Sequence, residues 1–186
     1  MFTAIVAGII ALTMVGNGIA YHNQMNNFRS SQATTNAIGV YNRAQVETIR
    51  NIFCPVTYAR MFPDLMNAFG DGRTQSSATN LWNHFHRYGL SGREPARLTG
   101  FSPVFEPIHY FANNPDLVQA FGSDRYLALQ HFVVHGMREG RNSSPSFSVQ
   151  FYQARYQDLR NAFGGQLDRY YIHYVQHGIH EGRTAR

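Results

Sequence analysis

Along residues 53–183 apolar positions return in one fixed order, separated by polar stretches. Each cycle opens on a Phe with a Tyr five residues later, as in Phe53-Cys-Pro-Val-Thr-Tyr58, Phe105-Glu-Pro-Ile-His-Tyr110 and Phe147-Ser-Val-Gln-Phe-Tyr152. Six residues after each Tyr stands an Asp-Leu pair (Asp64, Asp116, Asp158), leading to Ala-Phe-Gly with its glycine at Gly70, Gly122 and Gly164. His84, His131 and His173 follow, then a glycine (Gly89, Gly136, Gly178), then a closing Gly-Arg that ends at Arg93, Arg141 and Arg183. The second and third copies keep a 42-residue period; the first carries about five extra residues near "DGRTQSS" and lacks the Glu before its Gly-Arg. Self-similarity at such a period is the signature of a tandem array.

Within each copy the pattern predicts helices. Pro55 and Pro107 suit a first helical turn, where a missing N–H costs nothing, and Ser148 is a good N-cap in the third copy. The three aspartates sit where a second short helix begins, favoured by its dipole and placed to accept backbone N–H bonds. Gly70, Gly122 and Gly164 are expected to stop that helix in the left-handed conformation. A longer amphipathic helix follows, as in "RYLALQHFVVH", where Tyr126, Leu127, Leu129, His131, Phe132 and Val134 supply a buried face and Gly136 is the expected end. Each helix is too short to be stable alone, so the copies must pack on one another. The expected fold is all-α: three helical repeats of about 42 residues in one body, preceded by an apolar helix and a polar arm.

The first twenty residues, "MFTAIVAGIIALTMVGNGIA", are apolar and uncharged. The stretch from Phe2 to Gly16 is short for a membrane span of ~20 residues. Its length suits a signal-peptide core, with small residues at Gly18-Ile19-Ala20 before Tyr21, but the usual positive front region is missing. Residues 1–20 are therefore expected to stay as an anchor helix, and Gly8, Gly16 and Gly18 would let a neighbouring helix approach closely. Arg29, Arg43 and Arg50 all lie on its C-terminal side, which places the remainder on a cytoplasmic or internal face. Residues 21–50 read as a polar arm and connecting helix, and 51–186 as the repeat domain, divided at 51–97, 101–144 and 145–186.

Composition sharpens this picture. Phe and Tyr number 14 and 11 against one Trp and one Cys, so the core should be aromatic and no internal disulfide forms. Cys54 is expected as a buried small apolar residue. The formal charge of +5 comes from 16 arginines and no lysine. They are scattered rather than clustered among aromatics, which argues against nucleic acid. Forked guanidinium groups suit fixed bonds to carboxylates and carbonyls.

The candidate chemistry is weighed against that repetition. His131/His135 and His173/His177 are spaced i, i+4, a spacing that can present two ring nitrogens to zinc. Tyr88 breaks the pair in the first copy, Thr184 stands where His180-Glu181 would need a second His, and no third ligand converges. No metal, cofactor or catalytic residue is assigned. The expected role of each His is a bond to a terminal helix carbonyl, with the next glycine as cap. Asp64, Asp116 and Asp158 are expected as helix starts, and the closing arginines as clamps on carboxylate or backbone groups in their own or the adjacent copy.

At these residues the sequence resembles a short helical repeat of the form "Y-x-x-x-x-P-D-L-x-x-A-F-G … H-Y-x-x-H-G-x-x-E-G-R". Such repeats occur in bacterial secreted or surface proteins, beside glycosyltransferase domains, and in proteins of large DNA viruses. The likeness covers 53–183 and is closest at Pro115-Asp116-Leu117, Ala120-Phe121-Gly122 and His135-Gly136 through Glu139-Gly140-Arg141. It departs at Gln157 in the third copy and at Tyr88 and Ser91 in the first. The resemblance implies an interaction module without catalytic activity. The expected function is a structural or assembly subunit, contacting other protein subunits through its repeats and a membrane or large particle through residues 1–20. The alternatives are a secreted glycan- or anion-binding module and, more remotely, a metal-dependent enzyme.

Overall fold

Short local signals start the helices. The computed structural model describes residues 41–186; the anchor and the first part of the arm lie outside the described residues. Helix α1, Arg43–Asn51, begins on a capping box in which the Asn42 side chain accepts from the Gln45 N–H and the Gln45 side chain accepts from the Asn42 N–H. It buries Ile49, and Ile52 just beyond it is also buried. The first copy supplies α2 (Pro55–Met61), α3 (Pro63–Phe69) and α4 (Gln75–His84). The second supplies α5 (Pro107–Asn113), α6 (Pro115–Phe121) and α7 (Arg125–His131). The third supplies α8 (Val149–Arg155), α9 (Gln157–Phe163) and α10 (Leu167–His173). Pro55 and Pro107 occupy first-turn positions, and Ser148 caps α8 by accepting from the Phe151 N–H. Among the described residues the fold is all-α. Isolated bridges between Ser102 and Phe105 and between Ser144 and Phe147 mark the turns that precede α5 and α8.

The second short helix of each copy carries its Asp at the helix start expected of it. Phe62, Asn114 and Tyr156 hold the N-cap positions without a side-chain cap bond, and the Asp sits inside the first turn. Gly70, Gly122 and Gly164 do take positive φ, of 90°, 61° and 55°, but with ψ of −176°, −121° and −122°, so the chain leaves extended rather than in the left-handed helical basin.

The long helix does not stop at its glycine. After α4, α7 and α10 the backbone widens into one π-helical turn, at Phe85–Gly89, Phe132–Gly136 and Tyr174–Gly178. There the carbonyls of Phe85 and Tyr174 accept the N–H of Leu90 and Ile179, at 2.9 and 3.0 Å. Gly136 has φ −57° and ψ −37°, ordinary right-handed values, so it is not a cap. The cap is Gly140, with φ 69° and ψ 32°. The Arg141 N–H then returns to the Gly136 carbonyl at 3.0 Å, and Arg183 does the same to Gly178 at 2.8 Å. This six-to-one bond is the Schellman arrangement, which turns the chain back and throws the arginine across its own copy.

Packing is carried by rings. Phe53 stacks on Phe85 at 5.3 Å, Phe85 on Phe101 at 4.7 Å, and Phe105 on Phe132 at 4.8 Å, with Phe101 and Phe105 6.1 Å apart. Phe132 meets Tyr171 edge-on at 5.4 Å, and Tyr171 leads to Phe147 at 5.1 Å. A continuous aromatic chain thus runs through all three copies, and the offset and edge-on contacts each add ~0.5–1.5 kcal/mol to the burial of the rings. Backbone bonds tie each copy's start to the segment after its closing turn: Cys54 N–H to Phe101 O, Glu106 N–H to Ser143 O, and Ser148 N–H to Ala185 O, at 2.9, 2.8 and 3.0 Å. Cys54 is buried as a free thiol whose Sγ accepts the Thr57 hydroxyl at 3.1 Å. The described residues, 41–186, form one compact unit. No helix among the described residues is long and apolar enough to cross a membrane.

Candidate functional site

Two polar constellations recur in the three copies. The first is a guanidinium held between carboxylates. In the third copy Arg183 bonds both oxygens of Asp158, at 3.1 and 2.8 Å, while its Nε bonds Glu181. In the second, Arg141 reaches Asp116 at 2.7 Å and the side-chain Oδ1 of Asn114 at 3.2 Å, with Nε to Glu139 at 2.5 Å.

The first copy corrects the sequence assignment. Arg93 is exposed, and its clamp position is filled by Arg97, which grips Asp64 at 3.1 and 2.7 Å and Glu94 at 2.8 Å. The Glu missing before Gly-Arg is replaced by Glu94 after it, and the turn Pro95–Leu98 brings Arg97 to the place that a Schellman turn gives Arg141 and Arg183. The residue before the short helix completes the clamp. Arg97 lies over the Phe62 ring at 4.4 Å and Arg183 over Tyr156 at 4.6 Å, while Asn114 takes that position in the second copy.

These pairs shift the charge equilibria of several of the groups they join. The hydrogen bonds from Arg97 and Arg183 hold Asp64 and Asp158 below the ordinary carboxylate value. Bonds to Asp64 and to Asp158, reinforced by the glutamates, raise Arg97 and Arg183 in turn. Burial pulls Arg141 the other way, but its bonds to Glu139 and Asp116 outweigh it and keep the guanidinium above its usual value.

The second constellation answers the histidine question. The Tyr58, Tyr110 and Tyr152 hydroxyls lie 3.2, 2.9 and 3.0 Å from Nδ1 of His84, His131 and His173. Each His therefore meets a tyrosine of its own copy rather than the helix carbonyl expected from sequence. Burial raises the three phenols above their ordinary value. It also lowers His84 and His173, and drives His131 down to about 4. Both members are then neutral near pH 7, and we assign the phenol as donor to Nδ1 on that ground. The Phe of Ala-Phe-Gly closes the other side: Phe69, Phe121 and Phe163 stand 6.0, 6.0 and 5.7 Å from the three imidazoles.

The recurring glycine belongs to the same cluster. A Cβ on Gly136 would lie 2.2 Å from the Tyr110 hydroxyl oxygen, and one on Gly178 would lie 2.2 Å from that of Tyr152. In the first copy a Cβ on Gly89 would strike the Phe85 ring at 2.7 Å instead. Close approach is the reason for glycine at these positions.

His131 and His135 sit with ring centroids 5.4 Å apart, and His173 and His177 at 5.3 Å. Nδ1 of His131 and of His173 is committed to tyrosine, and no group of three His, Cys, Asp or Glu side chains among the described residues could hold a metal ion. The tyrosines were missed as partners in the sequence, although they recur in the same register as the histidines. Glu94 and Arg97 were missed because they break the Gly-Arg spacing. Compared with protein-family models, with curated proteins and with solved structures, the chain finds no match.

Proposed function

We propose that the three copies are tandem repeats of one helical module and that the chain is a non-catalytic structural or assembly subunit. Residues 1–20 anchor it in a membrane or large particle, and the repeats contact other protein subunits. The observation that supports this reading is where the recurring polar groups go. Arg97, Arg141 and Arg183 are spent on carboxylates of their own copy, and His84, His131 and His173 on buried tyrosines. A catalytic site needs an asymmetric cluster with a reactive group turned to substrate. Here the same residues recur as internal supports. Partner contacts then fall to residues that differ among the copies, among them the exposed apolar Met61, Ile108, Val118 and Phe151.

The test is intact mass and sedimentation of native material after gentle extraction. The reading requires a polypeptide that retains residues 1–20 and travels in a larger particle with stoichiometric partner proteins. A free species that begins near Tyr21 overturns it and favours a secreted binding module.

A further inference from the structure

A cleft of about 590 Å³ opens where the start of α2 in the first copy meets the closing turn of the third. Val56, Val175 and Ile179 line it on the apolar side, and Arg60, Arg73 and His180 on the polar side. The volume lies in the range of specific ligand sites, ~300–1,000 Å³. Its basic side chains are not used as the clamp arginines are. Arg60 and His180 are exposed and have no ion pair or hydrogen bond among the described residues, while Arg73 is held at 3.1 Å by Asp71.

From this we infer that the cleft binds an acidic peptide segment of a partner protein, one apolar side chain packing against Val56, Val175 and Ile179 and flanking carboxylates meeting Arg60 and His180. The inference rests on the assembly reading above and names the chemistry of one partner contact. Charge complementarity selects the occupant. The chain itself has little to offer: residues 1–46 contain no Asp or Glu, so its own arm lacks the complementary charge. Of its 11 acidic residues, ten are engaged among the described residues, six of them in the three clamps. Asp71 and Asp168 pair with Arg73 and Arg138, and Glu106 and Asp124 cap α5 and α7. Only Glu47 remains, so a second copy is a poor source of carboxylate as well. The lining argues against a nucleic-acid backbone, because half of it is apolar and the Asp71 carboxylate stands beside Arg73.

The experiment is fluorescence anisotropy of a labelled Glu-Leu-Asp-Phe-Glu peptide titrated with the full chain, against the matching Gln-Leu-Asn-Phe-Gln peptide. The acidic peptide should bind more tightly, Arg60→Glu should weaken it by about tenfold or more, and Arg93→Glu should change it by less than about twofold. Val56→Trp, which fills the apolar wall, should also abolish binding. Circular dichroism checks that each variant is folded, and Arg60→Gln replaces Arg60→Glu where needed. Equal binding of the two peptides, absence of binding, or an Arg60 variant that binds like the parent overturns the assignment. Sedimentation of the native Arg60 variant separates the two ideas: a particle that persists while peptide binding is unaffected leaves the assembly reading standing and removes the cleft.

Discussion

The Tyr110 hydroxyl lies 2.9 Å from Nδ1 of His131, buried inside the second copy, and the space it occupies exists because residue 136 has no side chain. Tyr, His and Gly stand 26 residues apart from first to last, yet they form one contact. Gly136→Ala should therefore destabilise the protein by ~1–3 kcal/mol, the usual cost of forcing an extra methyl into a filled site. Removing the obstructing oxygen with Tyr110→Phe should make the second change less costly, so the double variant should lose less than the sum of the two. Urea denaturation of the four proteins measures the coupling; simple additivity would show that the methyl is accommodated elsewhere.

Acid should expose the same pair. Burial lowers the native His131 pKa to about 4 from an ordinary value of 6.5. The folded state thus binds its proton less readily than the unfolded chain. The neutral imidazole contributes stability above 6.5, and that contribution is lost as pH falls from 6.5 towards 4, with a slope of up to ~1.4 kcal/mol per pH unit. His131→Gln should flatten the urea-midpoint profile across that window while lowering stability at pH 7. A variant profile as steep as the parent's would assign the acid sensitivity to other groups.

A second acid window belongs to the clamps. Arg97 and Arg183 hold Asp64 and Asp158 below the carboxylate value of 3.8, so the stability they give is present above that value and is lost as pH falls through the lowered native pKa. Both carboxylates are exposed and screened, so the loss should be small and should shrink further in molar salt. Melting temperatures between pH 4 and pH 2, at low and high salt, test this.

The clamp assignment itself is decided by two arginines of the first copy. Arg97→Ala should lower stability by about 1 kcal/mol, since the group is half-buried, bidentate and stacked on Phe62. Arg93→Ala, at an exposed position, should leave the melting curve unchanged. The reverse order would restore the Gly-Arg register expected from sequence.

Phe132 joins the second copy to the third through Tyr171 and to Phe105 in its own copy. Phe132→Ala should cost ~3–5 kcal/mol, whereas exposed Phe151→Ala should cost little. Because the aromatic chain is continuous, calorimetry of the parent should show one cooperative transition. Separate transitions would mean that the copies fold independently.

Much of the fold was legible in the chain because it depends on local chemistry repeated three times. Pro55 and Pro107 mark helix starts, Ser148 caps, and positive φ falls on glycines where helices end, as neighbouring residues dictate. The closing Gly-Arg of each copy pointed to clamps on carboxylate or backbone groups, without marking Asp116 and Asp158 as the partners of Arg141 and Arg183. What stayed hidden depends on through-space geometry. Period and spacing could not tell that Gly136 makes room for a hydroxyl while Gly140 turns the chain, since both are simply glycines near a helix end. Nor could they tell that Arg97 replaces Arg93, because Pro95–Leu98 moves the guanidinium to its partner by a different path. The sequence by itself determined the helical elements and which residue types recur, since propensity and capping act within a few residues. Only the tertiary structure decided which of those residues meet, because a π-helical turn and a reversal of the chain bring together groups that lie 21 to 33 positions apart.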